Sequence, residues 1–171
     1  MKSLILTLMA FACLSASCKK NKVDAPATVP LIENGTYSII NVSTQDALTP
    51  VMLTAGQNVF LQNQVTTDLL QRWYIQFDGL YYTIRSQQEN TLFFQPFPAG
   101  EHTSIISSNN GDSSPKFLLE KIVENGAVYF KIKSVLLAGQ ALYQFTNGLY
   151  EEARFKAFEN TDLFKWQIIK Y

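Results

Sequence analysis

Histidine occurs once and cysteine twice in this chain, at His102, Cys13 and Cys18. A multi-histidine metal site is therefore excluded, and beyond Cys18 no thiolate remains for zinc or for a disulfide. An excess of one charge is also missing. The 14 basic and 14 acidic groups cancel, which leaves no basic stripe for a phosphate backbone and argues against nucleic acid as a partner. Past the N-terminus no apolar run approaches the roughly 18 residues of a membrane span. Catalytic sets are equally scarce. Ser107, His102 and Asp112 fall in one segment without a nucleophile elbow or an oxyanion hole. Glu151 and Glu152 are adjacent, so extended chain points them apart, a poor geometry for a glycosidase pair. The reading is a protein that is not an enzyme and uses no cofactor or metal.

What is present begins with an export signal. Lys2 is followed by an apolar run from Leu4 to Leu14 and by the small residues Ser15, Ala16 and Ser17, the order found in secretory signals. Leu14-Ser15-Ala16-Ser17-Cys18 resembles the lipobox of bacterial lipoproteins. Its Leu sits one place further from the Cys than the strict pattern, a looseness similar to that of Bacteroidetes lipoproteins. Cys13, after Ala10 and Ala12, is the competing lipid acceptor, and an ordinary secretory signal cut near Ser17 is a third reading. The polar Lys19-Lys20-Asn21-Lys22 directly after Cys18 favours Cys18. Acyl chains contribute about 0.8 kcal/mol per buried methylene, and two chains anchor stably. The expected organisation is therefore a signal peptide at 1–17, a lipidated Cys18 with a flexible tether at 18–33, and one domain at 34–171. The expected location is the bacterial outer membrane, facing the periplasm or the exterior.

The domain reads as strands. Tyr37-Ser38-Ile39-Ile40, Tyr82-Thr83-Ile84-Arg85 and Phe130-Lys131-Ile132-Lys133 alternate and are rich in aromatic and β-branched residues. Turn-prone Glu33-Asn34-Gly35, Asp78-Gly79, Glu124-Asn125-Gly126 and Thr146-Asn147-Gly148 punctuate them. No segment reads as a convincing helix, and Tyr150 to Ala157 is the nearest to one. Three stretches share one pattern: Tyr37-x-Ile39, Tyr82-x-Ile84 and Phe130-x-Ile132 each precede a small polar residue (Asn41, Ser86, Ser134) and then a Leu (Leu48, Leu92, Leu142). Each ends on a large aromatic, Trp73, Phe117 or Trp166, 35 or 36 positions after its first aromatic. Ile75, Leu119 and Ile168 follow two places later. Three such units, at about 34–77, 78–123 and 124–171, are too few for a propeller and enough for an all-β, pseudo-threefold β-trefoil of three four-stranded repeats.

Gln71-Arg72-Trp73-Tyr74-Ile75 resembles the Gln-x-Trp signature of ricin-type β-trefoil lectins, and Gly35 to Asn41 is similar to the first strand of bacterial members. The third repeat keeps the aromatic as Phe164-Lys165-Trp166, and the second has Pro115-Lys116-Phe117. The resemblance implies up to three shallow sugar pockets, each with an aspartate just after the repeated Leu, an aromatic platform and an amide. Thr49, Phe93 and Tyr143 occupy the aspartate positions, so no pocket of the family is complete. The nearest substitute is Tyr143, Gln144, Asn147, Tyr150 and Glu151 around one hairpin of the third repeat. A hairpin with Tyr143 partly buried is the structural alternative. In the second repeat, Phe93 and Phe94 alternate in face, one belonging to the core, and Phe97 lies nearby. The function implied is a non-catalytic, envelope-anchored carbohydrate-binding module acting as a monomer. The alternative is a protein-interaction or inhibitor trefoil whose ligand is an envelope protein.

Overall fold

The computed structural model describes residues 29–97, 104–108 and 115–171. The expected signal peptide, Cys18 and most of the expected tether lie outside these residues. Twelve strands form three sets of four: β1 (Gly35–Asn41), β2 (Asp46–Pro50), β3 (Val59–Asn63) and β4 (Trp73–Phe77); β5 (Tyr82–Ser86), β6 (Leu92–Pro96), β7 (Ser104–Ser108) and β8 (Phe117–Glu124); β9 (Ala127–Ser134), β10 (Gln140–Thr146), β11 (Glu151–Ala157) and β12 (Trp166–Lys170). Helical turns among the described residues are two short 3-10 turns, Leu69–Gln71 and Asp162–Phe164, immediately before β4 and β12. Tyr150 to Ala157 is not helical. Its residues pair one for one with β10 from Glu151 onward and bury Ala153 and Phe155. Long-range pairing there overrides local propensity.

The first and last strands of the repeats close a ring. β1 pairs with β4, β4 with β5, β5 with β8, β8 with β9, β9 with β12, and β12 with β1, all antiparallel. Tyr37 lies opposite Trp73, Tyr82 opposite Phe117, and Phe130 opposite Trp166. The first and last aromatic residues of each repeat are thus cross-strand partners, which explains their near-constant spacing. The hairpins β2–β3, β6–β7 and β10–β11 cap one end of this six-stranded barrel. They also touch one another, with Phe60 opposite Glu152 and Asn58 bridged to Ile105. This is a β-trefoil. Closure leaves the barrel without a free edge.

The core is built from the repeated positions. Ile39, Ile84 and Ile132 are fully buried, as are Trp73, Phe117 and Trp166. The Nε1 groups of Trp73 and Trp166 each donate to the carbonyl of their own repeat's Leu, Leu48 and Leu142, at 3.0 Å. Phe117 has no such donor and instead stacks on Phe155, with ring centroids 6.2 Å apart. The small polar residues close the turn after the first strand of each repeat. Asn41 Oδ1 accepts from the Ser43 amide, Ser86 Oγ from Glu89 and Ser134 Oγ from Leu137. Three different-looking positions therefore share one backbone-satisfying role.

The N-terminal segment arrives at the barrel end remote from the cap. The Leu31 amide donates to the Tyr82 hydroxyl at 2.7 Å, Asn34 Oδ1 accepts from the Phe77 amide at 2.8 Å, and Glu33 pairs with Lys170 at 2.7 Å. On β8 and β9, Glu120 accepts from Lys131 and Lys133 at 2.6 and 2.7 Å. These two ammonium groups hold its carboxyl below the usual carboxylate range.

Candidate functional site

A cleft of about 760 Å³ opens between the first and third cap hairpins. Its size falls within the ordinary range of small-ligand sites. One wall is the first hairpin, with Asp46 at the start of β2 and Phe60, Gln62 and Asn63 on β3. The other is the tip of the third hairpin, with Leu149, Tyr150 and Glu151.

The tip owes its shape to Asn147 and Gly148. Asn147 Oδ1 accepts from the Leu149 and Tyr150 amides at 3.1 and 2.9 Å, the Asx geometry that lets a four-residue connection turn tightly. Gly148 sits at φ +90°, a region that a side chain would strain. This turn presents Leu149, 85% exposed, and Tyr150, 61% exposed, to solvent on the rim. Tyr150 nevertheless packs on Phe60 across the two hairpins, with centroids 5.8 Å apart. Below it, the buried Gln144 amide donates to Thr146 Oγ1 and to the Glu151 carboxylate. Glu151 is thereby oriented by a residue that faces the core. Neighbouring Glu152 points to the other side of β11, where it accepts from Asn147 at 2.5 Å and from Arg154 at 2.8 Å.

The chemistry gathered here is two aromatic rings, two carboxylates on opposite walls and two side-chain amides, with no cationic side chain in the lining. A carboxylate can accept hydrogen bonds from adjacent hydroxyls, and an aromatic face packs against C–H groups. The set suits a neutral ligand rich in hydroxyls with one apolar face.

Of the five residues expected to gather at the third hairpin, Tyr150 and Glu151 line the cleft, and Gln144 and Asn147 shape it from behind. Tyr143 is not brought to them. It lies on the opposite face of β10, with its ring stacked on Phe164 at 5.3 Å and the Lys156 ammonium 4.8 Å from its centroid. Alternation separates it from Gln144 as surely as it joins Gln144 to Glu151. The other aspartate-equivalent positions are likewise occupied. Thr49 is buried and donates to the Ala47 carbonyl at 2.9 Å, and Phe93 is half-buried opposite Ser107. Phe94 is the core member of its pair and Phe97 is exposed. Gln71 is a fastener: Nε2 donates to the Asn63 carbonyl and Oε1 accepts from the Val65 amide, at 2.9 and 2.8 Å. It fixes the loop that begins at the cleft residue Asn63. His102 and Asp112 lie outside the described residues, and Ser107 Oγ donates to the Ser108 carbonyl. Among the described residues no group of three potential metal ligands occurs.

Asp46, Phe60, Gln62 and Asn63 were not anticipated from the sequence. The family resemblance implies one self-contained pocket per repeat, whereas the cleft is shared between repeats one and three. The available signal was the alternation that turns Phe60 and Gln62 outward on β3.

No protein-family model and no characterised protein matches the chain by sequence. Solved structures resemble it in fold. A mosquitocidal holotoxin superposes with a TM-score of 0.73 at 19% identity, over 84% of this chain and 18% of the toxin. The chain thus spans under a fifth of that protein. The designed threefold-symmetric protein ThreeFoil gives 0.67 at 17% identity, over 81% of this chain and 100% of the design. A ricin B-like lectin of Macrolepiota procera, solved in complex with lactose, gives 0.63 at 14% identity, over 84% of this chain and 100% of the lectin. At these identities the likeness is one of fold.

Proposed function

We propose that this protein is a non-catalytic carbohydrate-binding module, held at a bacterial envelope by a lipidated Cys18, with the inter-hairpin cleft as its binding site. The observation that carries this reading is the pairing of Phe60 and Tyr150 with Asp46 and Glu151 around one opening. The lactose complex of the Macrolepiota lectin supports it as a precedent for the fold. The module acts as a monomer, its ligand a glycan presented in the periplasm or outside the outer membrane.

A glycan array with the folded domain tests the ligand class, and blank results across neutral glycans sink it. Glu151→Gln and Tyr150→Ala should each weaken binding at least tenfold; a bound glycan indifferent to both removes the cleft from the reading. For the anchor, Cys18→Ser protein should leave the membrane fraction on a carbonate wash, and retention there refutes lipidation at Cys18.

A protein ligand is the second reading, favoured by the apolar rim. Val51 and Met52 on one side and Leu149 on the other are all substantially exposed. Recovery of a stoichiometric envelope partner that Leu149→Asp releases, together with an empty array, decides for it.

A further inference from the structure

On the barrel wall, away from the cleft, two arginines stand together without a counter-charge. Arg72 and Tyr74 lie two residues apart in extended chain and share the outward face of the β4 segment, since Trp73 and Ile75 between and beyond them are fully buried. Arg85 on β5 is the cross-strand partner of Tyr74, and Arg72 is held beside the same strand by the bond from the Gln87 amide to its carbonyl. Arg72 and Arg85 are therefore diagonal neighbours, a relation that places such residues roughly 7–8 Å apart.

Both guanidinium groups are laid on aromatic rings. Arg72 sits 4.5 Å from the centroid of Tyr171, and Arg85 sits 4.6 Å from that of Tyr74. Seated this way they are pre-oriented and less free to turn into solvent. Among the described residues neither has a carboxylate within 4.0 Å, whereas Lys116, Lys131, Lys133, Arg154, Lys156, Lys165 and Lys170 all do. Both Nε–H groups are buried without an acceptor, and one bond from Arg72 Nη2 to the Thr66 carbonyl, 3.2 Å, is what the pair makes. Two like charges so placed repel each other unless an anion lies between them. The guanidinium fork matches the two oxygens of a carboxylate.

The surroundings favour a sugar over a lipid headgroup as the carrier of that anion. The outward neighbours across the ladder are Thr36 opposite Tyr74, Thr83 opposite Gln76, Gln87 beside Arg72, and the half-buried ring of Phe93 opposite Arg85, an aromatic face of the kind that packs against sugar C–H groups. They offer hydroxyls, amides and one aromatic face, and no large aliphatic side chain to enter a bilayer. We propose that the Arg72–Arg85 pair on the β4–β5 wall is a binding site for the carboxylate of an acidic saccharide, a uronic-acid unit. It is separate from the cleft, and a failure of the cleft reading leaves it standing.

The test is titration of the mature protein with trigalacturonate, followed by calorimetry and by the Arg Nε–H resonances. A saturable isotherm that shifts the Arg72 and Arg85 signals together, with no response to neutral galactotriose, is expected. Arg72→Gln and Arg85→Gln should each weaken it at least fivefold and together abolish it. Lys121→Gln, a change at an exposed lysine on β8, should leave it unchanged. Far-ultraviolet dichroism of the variants confirms that they fold, both side chains lying outside the core. Linear, unsaturable shifts, or variants that bind as well as wild type, overturn the proposal. So does binding of inorganic phosphate or of phosphatidylglycerol vesicles with no response to the uronate, which would assign the pair to a phosphate ligand instead.

Discussion

The first and third cap hairpins occupy equivalent places around the trefoil axis, yet they agree on one face only. Inward, Leu48 faces Leu61 and Leu142 faces Phe155, an apolar pair at the same register in both. One residue along, Thr49 faces Phe60 in the first hairpin, while Tyr143 faces Arg154 in the third. The connections differ too. The first hairpin spans residues 51–58 before β3 begins, and the third turns through Asn147–Tyr150. Packing constrains the inward set, because a core position must fill a fixed volume. The other face packs locally rather than into the shared core, Thr49 and Arg154 both being buried there, and on it the copies have become unlike. The cleft lies where these two unlike hairpins meet.

Substitutions at matched positions can break this comparison. The largest effect belongs inward. Phe155→Ala should cost about 3–5 kcal/mol and its counterpart Leu61→Ala about 2–5 kcal/mol in urea unfolding, while Tyr150→Ala should stay within about 0.5 kcal/mol. A large loss at Tyr150 would mean that the rim is structural. Next, Gln71→Ala strands the Asn63 carbonyl and the Val65 amide and should cost about 1–3 kcal/mol. If the cleft binds glycan as proposed, that affinity should fall as well, because Asn63 lies at the start of the released loop. Trp166→Phe gives the third repeat the residue of the second and removes the bond to Leu142. A cost of about 1 kcal/mol is expected, and a neutral outcome would show that the indole bond adds nothing beyond burial.

The smallest effect concerns β8 and β9, where no cap hairpin takes part. The carboxyl of Glu120 has its pKa lowered in the folded state by Lys131 and Lys133. Its contribution is therefore complete above the unfolded carboxylate value of about 4.3 and is lost as pH falls through the lower folded value. Glu120→Gln should lie slightly below wild type in thermal midpoint at pH 7, and the two should converge in acid. A gap that persists at low pH would place the loss in packing.

Much of the fold was legible because the core repeats itself in the chain. Tyr37, Tyr82 and Phe130 announce their partners Trp73, Phe117 and Trp166 by spacing, since cross-strand pairing fixes how much chain lies between them. Half of the cleft was legible for the same local reason: Tyr150 and Glu151 follow a turn that Asn147 and Gly148 declare. Tyr143 misled because nearness in sequence carried it into the group, while strand alternation carries it to the far side. Phe60 and Asp46 were out of reach, being joined to Tyr150 by the closing of the trefoil and by no spacing in the chain. The arginine pair was hidden differently, since a guanidinium declares its want of a partner only when its neighbours are in place.

The closed ring has a mechanical consequence at β1. This strand is gripped on both sides, by β12 over five paired positions and by β4 over three. The Tyr171 amide bonds back to the Thr36 carbonyl, so the first strand and the end of the last are clasped together. A pull applied through the N-terminus first meets the exposed Glu33–Lys170 pair and the Leu31–Tyr82 bond, both of which yield easily. It then runs along the axis of β1 and loads both ladders in shear, so that many bonds must fail at once. A force applied to the segment before β1 would be held to a threshold, after which the domain would open abruptly, releasing its first and last strands in a single event.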